Sequence, residues 1–157
     1  MQQQVIIYTD GASRGNPGPG GYGIIMQWGQ VSKEFSKGFR KTTNNRMELM
    51  AVIVALQQLK REGLDIVIHS DSTYVVNAIE KGWLHGWIKK GFKDKKNPDL
   101  WMQYYQLAQK HRIKMKWVKG HAENRYNNRC DQLATAAADG YDLAIDEGYE
   151  QVTSSLL

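Results

Sequence analysis

Residues 4–28, QVIIYTDGASRGNPGPGGYGIIMQW, decide how the rest of the chain must fold. Gln4–Thr9 is an apolar, β-branched run that stops at Asp10-Gly11, the pattern of a buried strand meeting a turn. Gly11–Gly21 is turn-rich. Tyr22, Ile24, Met26 and Trp28 then alternate with Gly23, Ile25, Gln27 and Gly29, the period of a second strand. Val31–Lys41 alternates again, with Val31, Phe35 and Phe39 on one parity, so three consecutive strands are expected to form an antiparallel meander. Gly18–Gly23 also matches G-x-G-x-x-G, but a strand follows where a dinucleotide fold needs a helix, and no acidic residue lies about 20 positions on to hold a ribose. A nucleotide cofactor is rejected on those grounds.

Beyond the meander the period changes. Met47, Met50, Ile53, Val54, Leu56 and Leu59 make a helix that is apolar nearly all round, hence central and buried, with Thr42, Thr43 and Asn44 available as N-caps. Asp65–Ser70 is a strand apolar on both faces, followed by a short helix through Tyr74–Ile79. A mixed aromatic and basic stretch spans Lys81–Lys96, and a helix runs from Asp99 to about Lys110 behind Asn97-Pro98. Ile113–Val118 is a strand, and Asn127 to Ala138 a helix rich in small residues. From Gly140 the chain is acidic with no clear period. This order implies one α/β domain with a mixed five-stranded sheet flanked by helices on both faces.

Composition agrees with a single domain and narrows its partners. The chain has 157 residues, 41% of them hydrophobic, which is enough for a sizeable core. No apolar run approaches the roughly 20 residues of a membrane span. Met1-Gln2-Gln3-Gln4 has no basic region leading into an apolar one, so no secretory signal is expected. One cysteine, Cys130, excludes an internal disulfide framework and suits a reducing cytoplasm. The net charge of +5 hides an asymmetry, because Asp139, Asp142, Asp146, Glu147 and Glu150 are followed by no Lys or Arg. Half of the basic excess of residues 1–138 sits in Lys81–Lys96, where six lysines face Asp94 alone. A polyanionic partner is the natural expectation.

Four acids stand where a core would not want them. Asp10 ends the first strand and Asp71 follows the fourth, and sites in open α/β sheets form at the carboxyl ends of strands. Glu48 lies on a stripe with Ala51, Val52 and Ala55, and Asp131 on one with Ala134, Thr135 and Ala138; small residues there let both helices pack closely. Singly, each has an ordinary explanation: a turn residue, a complement to the helix dipole, or a solvated helix residue. Converging without basic partners, they would repel and raise one another's pKa, a conflict that hard cations such as Mg²⁺ or Mn²⁺ resolve. Zinc is disfavoured because no Cys/His spacing supports it. His121, in the loop after Lys116-Trp117-Val118, could be a surface histidine or a proton carrier beside such a site.

These residues resemble bacterial type 1 ribonuclease H. The resemblance rests on Tyr8-Thr9-Asp10-Gly11, Gly15–Gly23, Thr42–Leu49, Ser70-Asp71-Ser72, Trp117-Val118-Lys119-Gly120-His121 and Cys130-Asp131, and covers about residues 4–139 in the family's order. It implies a ribonuclease H-like fold and a catalytic domain over 1–139, with 81–96 as a basic protrusion and 140–157 as an acidic C-terminal tail. It implies endonucleolytic hydrolysis of the RNA strand of RNA–DNA hybrids with two Mg²⁺ ions, leaving 5′-phosphate and 3′-hydroxyl ends. Asp10, Glu48, Asp71 and Asp131 match the family's metal-binding carboxylates, and His121 its loop histidine. Ser13, Asn16, Asn44 and Asn45 would lie along the minor groove, where the 2′-hydroxyl distinguishes RNA, and Thr43 would help hold a DNA-strand phosphate. Trp83, Trp87, Lys89 and Lys90 belong to the protrusion that would grip the DNA strand. The protrusion is short for the family, Gly86 replaces an expected asparagine, and Glu123 an expected glycine. The resemblance further implies a cytoplasmic monomer with no obligate protein partner and no membrane association.

Two other readings are weighed against this one. A strand-transfer nuclease on the same fold would need further DNA-binding and oligomerisation domains. A catalytically silent module binding hybrids or double-stranded RNA would gain by replacing acids that lie beside phosphates. No role is assigned to the tail, and deletion of Gly140–Leu157 is expected to leave cleavage intact.

Overall fold

The computed structural model describes residues 4–120 and 124–155. Its elements run β1 (Val5–Ser13), β2 (Gly18–Trp28), β3 (Val31–Thr42), α1 (Asn44–Gln57), β4 (Asp65–Ser70), α2 (Thr73–Glu80), α3 (Trp83–Lys89), α4 (Pro98–Ala108), β5 (Arg112–Trp117), α5 (Arg125–Ala138) and α6 (Glu147–Ser155). The five strands form one sheet in the order β3-β2-β1-β4-β5. The meander is antiparallel, whereas β4 pairs parallel with both β1 and β5. The mixed sheet expected from the patterning is therefore present, and the glycine-rich stretch that mimics a dinucleotide motif is strand β2.

Two layers of helix cover the sheet. Val5, Ile7 and Thr9 of β1 are buried on the side of α1, while Tyr8 points the other way and meets Tyr126 of α5 at 4.8 Å between ring centroids. Helix α1 begins where Thr43 Oγ1 accepts a hydrogen bond from Arg46 N at 3.3 Å. It is sandwiched between the sheet and α4, so Met47, Leu49, Val52, Ile53 and Leu56 are all buried, although they lie on different sides of the helix. Burial of each such side chain contributes about 1.5–3 kcal/mol. On the opposite face α5 lies across β1, β2 and β3. Glycine permits that approach: a Cβ at Gly21 would stand 2.6 Å from the Ala134 carbonyl oxygen and 2.9 Å from Ala137 Cβ.

The acidic C-terminal segment does not hang free of this body. Ala144 N donates to Gly38 O at 2.9 Å and Arg40 N donates to Ala144 O at 2.8 Å, so a single residue pairs with the outer edge of β3. Helix α6 follows, and Arg40 grips Glu150 at 2.9 Å. Asp146 is 3% exposed, and its carboxylate faces Arg46 of α1. The sequence shows no period here because main-chain bonds and charges hold the segment, and no apolar stripe marks it. No helix among the described residues is long and apolar enough to cross a membrane.

Candidate metal centre

The parallel ladder between β1 and β4 stops at Thr9 and Ser70. The residues that follow along the chain are Asp10, still in β1, and Asp71, just past the end of β4, which therefore emerge side by side. Asp10 is not the end of its strand, as the sequence suggested: β1 runs on to Ser13, paired only with β2. The antiparallel ladder outlasts the parallel one, and it leaves one margin of β1 open for α1 to approach. There Gly11 N donates to Asp10 Oδ1 at 2.9 Å and also to Glu48 Oε1.

One carboxylate oxygen from each of Asp10, Glu48 and Asp71 lies within 4.8 Å of the others. Asp71 is held by its surroundings: Trp117 Nε1 donates to its carbonyl oxygen at 3.2 Å, and the next residue, Ser72, caps α2 by accepting from Val75 N at 3.2 Å. Asp131 lines the same cleft from α5 but stands outside the three-carboxylate cluster.

Asp10 and Glu48 are 5% exposed, and that burial dominates their chemistry. Loss of hydration, reinforced by the charges of Asp71 and Asp131, pushes the Asp10 carboxyl up to about 8 against the lowering effect of its hydrogen bonds to Glu48 and Gly11. Burial, then the charges of Asp10 and Asp71, raises Glu48 well above the glutamate range. Ser13, Asn44, Asn45, Ser72, Thr73 and Tyr74 complete the lining, and no Lys, Arg or His among the described residues joins them. A buried, all-oxygen, anionic donor set with no basic partner suits a hard divalent cation. Asp10, Glu48 and Asp71 could hold it, with Asp131 at the margin.

The expected substrate contacts divide into two groups. Ser13, Asn44 and Asn45 face the cleft. Asn16 and Thr43 do not line it: Asn16 Oδ1 accepts from Asn44 N at 3.1 Å, and Thr43 is the N-cap of α1, so both organise the turn that presents Asn44 and Asn45. In the protrusion Trp83 is 46% exposed with Lys81 Nζ 5.3 Å from its ring centroid. Trp87 is half-buried, edge-on to Trp101 at 5.7 Å, and anchors α3 to the core. Lys89 and Lys90 are exposed at the end of α3, and a Cβ at Gly86 would meet nothing within 4 Å. His121 and Glu123 lie outside the described residues.

Several residues at this site were given no individual role from the sequence. Tyr74 and Trp117 have no spacing that advertises them. Arg46 does carry a signal, a charge inside a helix otherwise apolar all round, and the structure buries it against Asp99 and Asp146.

Comparisons with known proteins bear on the same residues. The family model for RNase H matches residues 2–139. A ribonuclease H of Syntrophus aciditrophicus is 50% identical over 153 residues, covering 94% of this chain and 88% of that protein. One from Desulforamulus reducens is 52% identical over 149 residues, covering 92% and 93%. Among solved structures, LC9-RNase H1, a type 1 RNase H with the type 2 active-site motif, superposes with a TM-score of 0.80 at 30% identity, covering 98% of this chain and 82% of that one. LC11-RNase H1, solved in complex with an RNA/DNA hybrid, gives 0.65 at 26% identity, covering 87% and 97%. A family of metal-dependent nucleases accounts for the acidic cluster as well as for the sheet order, and this chain belongs to it, as a ribonuclease H.

Proposed function

We propose that the protein hydrolyses the RNA strand of RNA–DNA hybrids at Asp10, Glu48 and Asp71, with two Mg²⁺ ions in the substrate complex and 5′-phosphate and 3′-hydroxyl products. The observation that carries the reading is the cluster itself: three carboxylates within 4.8 Å, two of them buried, at the end of a parallel ladder and beside amide and hydroxyl side chains. Mg²⁺ bound there would supply a water of lowered pKa and neutralise charge on the scissile phosphate, and Mn²⁺ could substitute. The Gly11 N–H orients Asp10 and Glu48 together, so the two ligands need little reorganisation when a cation enters. Asp131 faces the cleft from a separate element and would complete the ligand set. Asn44, Asn45 and Ser13 offer donors and acceptors where a 2′-hydroxyl would distinguish RNA from DNA. His121 would carry a proton to the leaving oxygen.

The second strand falls to the protrusion. Lys89 and Lys90 would meet DNA phosphates, Trp83 would pack on a sugar, and Trp87 would hold the helix that carries them. Asn16 and Thr43 act through the α1 turn, with Thr43 next to a DNA-strand phosphate. The single buried Cys130 fits work in a reducing cytoplasm, and we take the active species to be a monomer.

The test is cleavage of a strand-labelled hybrid with Mg²⁺ and with EDTA, beside duplex DNA and duplex RNA. Cleavage of hybrid RNA alone, lost in EDTA and in Asp10→Asn, is expected. Full activity in Asp10→Asn would remove the metal-site assignment, and metal-independent binding without cutting would favour a silent module.

A further inference from the structure

We propose that Asp146, which lies beyond the residues the family model matches, is a positioning residue for hybrid binding: through Arg46 it sets the wall of the cleft on which the substrate rests. The inference builds on the hybrid-cleaving reading of that cleft.

Arg46 is 3% exposed, on the first turn of α1 between Asn45 and Glu48. All five of its N–H donors are engaged. Nε and Nη2 donate to the two oxygens of Asp146 at 2.7 and 3.0 Å. Nη1 and Nη2 donate to Asp99 at 3.0 and 2.7 Å, and Nη1 also to Asn97 Oδ1 at 3.2 Å. Asp146 is itself fixed by Thr42 Oγ1, which donates to it at 2.7 Å. From Asn97 the chain of bonds continues: its Nδ2 donates to Tyr74 Oη at 3.2 Å, and Trp101 Nε1 donates to the same oxygen at 2.8 Å. Tyr74 lines the same cleft as Asn44 and Asn45.

The C-terminal segment is thus linked to the cleft lining twice, through Arg46 on the first turn of α1 and through Asn97 to Tyr74. A guanidinium is a rigid planar fork, so its orientation is set by the carboxylates at its two edges. Asp99 alone is 39% exposed at its side chain and constrains one edge; Asp146, 2% exposed, constrains the other. The backbone of the segment also lies against the fork, since a Cβ at Gly148 would stand 2.7 Å from Arg46 Nη2. In Asp146→Asn one carboxylate oxygen becomes an NH2 donor, so one guanidinium N–H loses its acceptor and faces a donor, and the fork turns, carrying Asn97, Tyr74 and the Asn44-Asn45 turn with it. Glu48 has its own tether to Gly11, so the carboxylate cluster holds its place.

The experiment compares wild type, Asp146→Asn and Arg40→Ala on a strand-labelled hybrid with Mg²⁺, at a temperature where circular dichroism shows each folded. Arg40→Ala removes the exposed pair with Glu150 and leaves Arg46 untouched. Asp146→Asn is expected to raise KM about tenfold and to leave kcat within about twofold, with Arg40→Ala unchanged in both. A folded Asp146→Asn with wild-type KM overturns the inference, as does an equal rise in KM in Arg40→Ala. If Asp146→Asn fails to fold, Thr42→Val removes one bond to Asp146; a smaller rise in KM supports the inference and an unchanged KM overturns it. Wild-type protein that leaves the hybrid uncut overturns the functional reading itself, a result distinct from cleavage with unaltered KM.

Discussion

The main-chain N–H of Gly11 donates to Glu48 Oε1, joining β1 to α1 at the point where each contributes a site carboxylate. The approach is close enough that nothing larger than glycine fits. A Cβ at position 11 would lie 2.5 Å from the Met47 carbonyl carbon and 2.9 Å from Glu48 Cα, which are backbone atoms that cannot rotate away. Gly11→Ala is therefore expected to push α1 off the sheet, at a cost of about 1–3 kcal/mol in stability. Because Glu48 moves with the helix, initial rates of hybrid cleavage should fall by at least about tenfold. Urea unfolding and rate measurements on the same preparation check both, and wild-type rates in a destabilised variant would show that the tether is dispensable.

Metal-free protein should lose stability as pH rises. Asp10 has a folded pKa of about 8 against an ordinary value of 3.8, and Glu48 is raised in the same direction. The folded state therefore binds more protons than the unfolded chain between those limits, and the slope of unfolding free energy with pH is negative there. The contribution is complete below about pH 4 and is lost as pH passes through about 8. In EDTA, the melting temperature of Asp10→Asn should exceed that of wild type at pH 8 by several degrees, and the gap should close at pH 5. Added Mg²⁺ should raise the wild-type melting temperature and leave Asp10→Asn nearly unmoved.

The protrusion should reveal itself through salt. Lys89 and Lys90 are exposed and lie outside the cleft, so Lys89→Ala with Lys90→Ala is expected to spare kcat at saturating hybrid. For every phosphate that goes unneutralised in the double variant, the plot of log affinity against log salt should flatten by about 0.9. A slope unchanged from wild type between low and moderate salt would take the two lysines out of the interface.

Removal of residues 140–157 should destabilise the fold. The cut deletes Asp146 and leaves Arg46 with Asp99 as its remaining carboxylate partner. Burial opposes the charge of Arg46, and the bonds to Asp99 and Asp146 more than offset it. Loss of one partner from such a pair costs on the order of 3 kcal/mol. The urea midpoint of the truncated chain should drop accordingly, and a midpoint equal to wild type would show that solvent replaces Asp146 without penalty.

Much of this fold was legible in the residues themselves. The alternation of Tyr22–Trp28 and the continuous apolar run of Asp65–Ser70 were enough for a mixed sheet, because strand periodicity is a local property that pairing exploits. The helix from Asn44 had to be central, since apolar residues on every side admit no solvated face. Asp10, Glu48 and Asp71 could be named because their family motifs surround them, and the carboxylate chemistry followed from their type.

What the one-dimensional pattern could not settle was which groups meet. Asp10 looked like a strand terminus, and only the sheet order shows that β1 continues while its parallel neighbour stops. Asn16 and Thr43 were named for substrate contact, and the folded chain shows that both also organise the start of α1. Asp146 looked like one acid in a tail with no assigned role. It is 100 residues from Arg46 in sequence and 2.7 Å from it in space. A buried ion pair of that separation leaves no local signature, because neither partner's neighbours need any particular period for the two charges to find each other. The sequence by itself determined the sheet, the central helix and the acids; the tertiary structure decided which backbone N–H binds two of them together and what the acidic segment holds in place.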